Sequence, residues 1–171
     1  SSGSSGIKAN KNLVNEDKIP DGYPLDLVPF PAGAEINHGE KSDYMGMPHY
    51  YTVAISKDNF KDIVAFYREL YKNGGLDELE AGGGYTIQGI YEKMNIIVSI
   101  KDEKRDPTFG PEYKTSIFID VYMLDDDTLR QIMGEAYTGG KSGGDLGPVA
   151  EKGNANAIKG VNTNLSGKPV P

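Results

Sequence analysis

Thr115-Ser116-Ile117-Phe118-Ile119-Asp120-Val121-Tyr122-Met123 decides the fold class. Ile117, Ile119 and Val121 recur at every second position, so one face of an extended strand is apolar throughout. The other face carries Ser116, Phe118, Asp120 and Tyr122. A strand that is apolar on one side and aromatic with a carboxylate on the other belongs in a sheet with a covered face.

Working outward, Met94 to Lys101 alternates in the same way, with Met94, Ile96, Val98 and Ile100 against Asn95, Ile97 and Ser99. Tyr85 to Tyr91 precedes it, and Glu92-Lys93 closes the pair into a hairpin. Upstream, His49 to Ile55 reads as a strand with Tyr51, Val53 and Ile55 on one face and Tyr50, Thr52 and Ala54 on the other. Between these strands, Phe60, Ile63, Val64, Tyr67, Leu70 and Tyr71 form one helical stripe, predicting a helix over 57–72. Ser56 serves as its expected N-cap and Gly74-Gly75 as its stop. Asp125-Asp126-Asp127 is expected to cap a short terminal helix over 126–137, where Leu129, Ile132, Met133 and Ala136 keep helical spacing.

The expected fold is therefore an α+β two-layer sandwich of order β-α-β-β-β. It comprises a four-stranded, mainly antiparallel sheet, one long amphipathic helix on one face and a short C-terminal helix. Tyr23 to Pro31, with three prolines, reads as an extended lead-in; residues 32–36 as a turn with at most a short strand; residues 37–47 as a polar loop.

Ser1 to Gly6 reads as an expression-tag remnant. Residues 7–20 read as a flexible linker, 21–137 as one domain, and 138–171, rich in Gly, Asn, Lys and Pro, as a disordered tail. Charge divides along the same lines. The chain carries -7, residues 1–20 contribute +1 and residues 138–171 contribute +2, leaving the body at -10 with 11 basic and 21 acidic residues. Such a body repels phosphate backbones, so nucleic acid is excluded as an expected partner. Without cysteine there is neither disulfide nor thiolate chemistry.

No motif assigns an activity. His38, Glu40, Asp43 and His49 are the metal candidates, since imidazole and carboxylate suit zinc or harder cations, but their spacing matches no ligand pattern and a solvated polar loop is the simpler reading. Asp125-Asp126-Asp127 lacks the alternation, Gly and Glu of a calcium loop. Gly82-Gly83-Gly84 precedes a strand rather than a helix, which argues against a phosphate cradle and for a flexible start or bulge. No catalytic residue or cofactor is expected. The surface that stands out is the second sheet face, to which Tyr50, Phe118, Asp120 and Tyr122 are assigned with Ile97. It is expected either to be covered by the lead-in or the terminal helix, or to meet a partner.

Phe30-Pro31-Ala32-Gly33-Ala34-Glu35-Ile36, Phe66-Tyr67-Arg68-Glu69-Leu70 and Asn73-Gly74-Gly75-Leu76 carry a resemblance. Over 23–123 the chain resembles uncharacterised lipoprotein-type extracytoplasmic domains of Gram-positive bacteria. The resemblance implies an extracytoplasmic domain, tethered by a lipid anchor upstream, with residues 7–20 as a stalk. It brings no catalytic residues; separately, the expected state is a monomer with a protein or cell-envelope component as partner. The functional expectation is a non-enzymatic binding module of the cell envelope. The alternatives are a small-ligand- or metal-binding, even hydrolytic, domain using the 37–49 loop, and an accessory domain of a larger secreted assembly.

Overall fold

The structure is a computed structural model that describes residues 6–134. The tail expected over 138–171 and the last residues of the expected terminal helix lie outside the described residues.

Six antiparallel strands form one sheet: β1 (Glu35–Tyr44), β2 (Met47–Ser56), β3 (Asp77–Ala81), β4 (Gly84–Tyr91), β5 (Met94–Asp102) and β6 (Thr115–Met123), in spatial order β1-β2-β6-β5-β4-β3. Two short helices accompany it, α1 (Phe60–Tyr71) between β2 and β3 and α2 (Asp126–Met133) after β6. This corrects the expected four-stranded sheet with one long helix: the protein is mixed α and β but mostly β. Both additional strands lie at the sheet edges. β1 takes up the residues read as a polar loop, and β3, Asp77-Glu78-Leu79-Glu80-Ala81, is exposed along its whole length.

Three two-residue turns build the meanders. Met45 and Gly46, Gly82 and Gly83, and Glu92 and Lys93 each have positive φ at both positions, 52° and 84°, 56° and 80°, 50° and 66°. That pairing matches the right-handed twist of the flanking strands. Gly82-Gly83 is thus the β3–β4 turn rather than a flexible start to a strand.

The α1 helix begins later than expected. Asn59 is its N-cap, while the Ser56 hydroxyl accepts from the Asp58 N–H at 3.0 Å instead. Gly74 N–H returns to the Tyr71 carbonyl at 2.9 Å and ends the helix. At α2 the expected cap forms: Asp125 accepts from the Thr128 N–H.

The inner sheet face is the main core. Tyr50, Ala54, Ile117, Ile119, Val121, Ile96, Val98, Ile100, Ile87 and Tyr85 are buried against Ile63, Val64, Phe66, Tyr67 and Tyr71 of α1 and against Tyr23, Val28, Phe30 and Ala34 of the lead-in. Prolines leave the lead-in short of main-chain donors, and tyrosine hydroxyls meet its carbonyls: Tyr67 donates to Pro29 at 2.9 Å, Tyr71 to Leu27 at 2.8 Å and Tyr23 to Val28 at 2.8 Å. Residues 7–20, expected as a linker, lie against this assembly. Asn10 N–H donates to the Phe30 carbonyl, Val14 N–H to Ala34, and Ile36 N–H to Val14. A short 3-10 turn, Glu16–Lys18, crosses β1 at Gly39, where any Cβ would collide with the Lys18 carbonyl. Main-chain bonds, the Asn10 side chain and the part-buried Ile7, Leu13 and Ile19 together hold this stretch.

Candidate functional site

The outer sheet face is read directly from register. His49 lies opposite Tyr122, Tyr51 opposite Asp120, and Val53 opposite Phe118. Asp120 in turn faces Ile97, and on the far side β1 places Ser42 opposite His49 and Glu40 opposite Tyr51. Cross-strand partners share a face, so His49, Tyr51, Phe118, Asp120 and Tyr122 form one patch on neighbouring strands.

Tyr50 does not belong to it. It pairs with Val121 and is buried on the inner face, edge-on to Tyr23 at 6.1 Å. The expectation that grouped Tyr50 with Phe118 and Tyr122 had the wrong face for that strand, and the residues missed were its neighbours His49 and Tyr51.

The side chains of the patch are fastened to one another. His49 Nε2 is 2.7 Å from Asp120 Oδ1, with 19% of the imidazole and 29% of the carboxylate still exposed. With Nε2–H donated to Asp120, Nδ1 is left to accept the Ser42 hydroxyl at 3.1 Å. The imidazole stacks on Tyr122, centroids 4.2 Å apart and planes 6° from parallel, and Tyr44 meets Tyr122 edge-on at 5.4 Å. His38 approaches Tyr51, 5.9 Å between rings, and pairs with Glu40 at 2.9 Å. Burial, then the neighbouring Asp120 and Tyr44, pushes the Tyr122 phenol up; burial, Asp120 and Glu40 do the same for Tyr51. Both phenols therefore remain protonated donors at neutral pH.

The four metal candidates are not gathered. His38 pairs with Glu40, His49 turns to Asp120, and the Asp43 carboxylate accepts the Gly46 N–H at 3.2 Å inside the β1–β2 turn. Among the described residues no group of three or more His, Cys, Asp or Glu is placed to hold a metal ion.

Of the two covers expected for the outer face, the lead-in lies on the inner face instead. The short helix α2 does pack on the outer side, but at one end, where Leu129 and Met133 bury against Ile90 with Leu124 and Ile132 alongside. Phe118, Asp120, Tyr51 and Ile97 stay half-buried.

Comparison of the chain with protein-family models, curated proteins and solved structures finds no match in any of the three. Among the described residues no helix is long and apolar enough to cross a membrane.

Proposed function

We propose that this domain is a non-enzymatic interaction module of the bacterial cell envelope, tethered on the extracytoplasmic side, and that its protein partner docks on the outer sheet face around His49, Tyr51, Phe118, Asp120 and Tyr122. The observation that carries this reading is the fastened patch. The Tyr122 ring, the His49 imidazole and the Asp120 carboxylate sit on rigid strands, their orientations fixed by stacking and by the 2.7 Å His49–Asp120 bond. Side chains already ordered before contact lose less entropy on binding. Tyr51 and Phe118 are half-buried, and aromatic residues are enriched in interface centres. The acidic body favours a partner with basic groups at the rim.

The tether follows from the resemblance over 23–123 and is tested at the gene. A full-length product with a signal peptide and a lipid-modified cysteine ahead of this segment supports it; a start codon directly before Lys8 overturns it. The surface is tested with Tyr51→Ala and Asp120→Lys proteins of unchanged melting temperature, which should lose retention on isolated Gram-positive envelopes. Undiminished retention by both would rule the face out.

A second reading, hydrolysis, has one specific observation in its favour. Ser42 Oγ, His49 and Asp120 form a continuous hydrogen-bonded chain of nucleophile, base and orienting carboxylate. Labelling of Ser42 by a fluorophosphonate probe, lost in Ser42→Ala, would replace the non-enzymatic reading with this one.

A further inference from the structure

His49 keeps a hydrogen-bond partner on both ring nitrogens in either charge state. In the neutral ring Nε2–H donates to Asp120 and Nδ1 accepts from Ser42. A proton added at Nδ1 makes that nitrogen a donor, and the Ser42 oxygen becomes its acceptor. Ser42 is exposed, so its own hydrogen turns outward to solvent and no hydrogen bond is lost. The ring keeps its carboxylate at 2.7 Å and its face on Tyr122.

Asp120 is the charge that such a proton compensates. Among the described residues its only ion-pair partner is His49; no lysine or arginine reaches it. Around the ring stand Asp120 and Tyr122 from β6, Ser42 and Tyr44 from β1, and Tyr51 further along β2, with Glu40 opposite Tyr51. None of these groups can become positive. The other histidine, His38, pairs with Glu40 outside this centre, the two being 48% and 58% exposed. Solvent still reaches the Asp120 carboxylate, which is 29% exposed. A partner seated on Tyr51, Phe118 and Asp120 excludes that solvent, and beside a neutral imidazole the carboxylate is then buried as a net charge. Beside an imidazolium it is buried as a hydrogen-bonded pair of zero net charge, whose attraction grows as water leaves.

We propose that docking on the outer face is coupled to uptake of one proton at His49, so that the partner is held more tightly as pH falls through the histidine range. The inference rests on the outer face being the docking surface. Histidine ordinarily changes charge between about pH 5 and 8. By linkage, a complex holding one proton more than the free protein gains up to about tenfold in affinity per pH unit of acidification. The gain levels off where His49 of the free protein is already charged.

The chain holds two histidines, so each can be tested alone. Retention on isolated Gram-positive envelopes is compared at about pH 5.5 and about pH 7.5 for wild type, His38→Gln, His49→Gln, Asp120→Asn and Tyr51→Ala. Dividing each ratio of retention by that of His49→Gln cancels titration of the envelope itself. Wild type and His38→Gln should then favour the lower pH by about tenfold. Asp120→Asn has no charge to compensate and should be held at the higher pH as firmly as wild type at the lower, a gain that misfolding cannot produce. Four results overturn proton coupling and leave the docking face standing, with Tyr51→Ala still unretained. They are a wild-type ratio equal to that of His49→Gln, a ratio abolished by His38→Gln, tighter retention at the higher pH, or Asp120→Asn held no better than wild type there. Wild type unretained at both pH values, or Tyr51→Ala held as firmly as wild type, removes the docking face and the coupling with it.

Discussion

Glu103 offers a quantitative test of how the outer face is held. It is 1% exposed, and its carboxylate accepts the Ser116 hydroxyl at 2.7 Å and the Thr108 N–H at 2.8 Å, with Lys101 Nζ at 3.7 Å. These contacts pin the 103–114 connection to the start of β6. Burial opposes the charge, but the bonds from Ser116 and Thr108 and the nearby Lys101 outweigh it, so the carboxyl titrates below its ordinary value. Replacement by Ala leaves a hydroxyl and an amide N–H without their acceptor. At about 1.5–3 kcal/mol for each hydrogen bond to a charged group, less where water reaches the freed donors, the loss should be about 3 kcal/mol. Glu103→Gln keeps an acceptor and loses the charge, and should cost about 1 kcal/mol. Because the folded pKa is depressed, the stabilising contribution is complete above the unfolded value of about 4.3 and disappears as pH falls through the folded pKa. Urea unfolding at about pH 7 should therefore separate wild type from Glu103→Gln, and at about pH 3 the two midpoints should approach each other. A difference that stays constant with pH, or a Glu103→Ala protein as stable as wild type, would refute the reasoning.

Three further substitutions probe the frame. Gly39→Ala pushes a methyl into the Lys18 carbonyl and should cost about 2 kcal/mol, with hydrogen exchange accelerating at Val14 and Lys18 before the sheet opens. Tyr67→Phe strands the Pro29 carbonyl and should lower stability by about 1–2 kcal/mol, read as a shift in urea midpoint at unchanged slope. Glu92→Asn relieves a positive φ of 50° in the β4–β5 turn and should stabilise by about 0.5–1 kcal/mol in the same assay.

What the sequence made legible follows from where its signals arise. β2, β4, β5 and β6 each bury at least one face, so their apolar alternation announces them, and α1 buries a stripe. β1 buries little beyond Ile36, and its Asn37 to Asp43 run is polar, because an edge strand can be held by main-chain pairing to β2 alone. The Met45-Gly46 pair ahead of the β2 run was the available signal. β3 buries nothing and could be found only from the Gly82-Gly83 turn behind it. The patch was partly legible, since Phe118, Asp120 and Tyr122 alternate within one strand. Its other half required register: whether Tyr50 or its neighbours His49 and Tyr51 face Tyr122 depends on how β2 pairs with β6. His49 and Asp120, 71 residues apart, meet only through that pairing.

The central claim, that the outer sheet face is the partner surface, is tested most directly by site-specific photo-crosslinking on isolated envelopes. A benzophenone side chain placed at Phe118 should give a discrete protein adduct that Asp120→Lys abolishes, while the same group at Leu70, on the exposed side of α1, should give none. Adducts from Leu70 with none from Phe118, or a Phe118 adduct indifferent to Asp120→Lys, would contradict it.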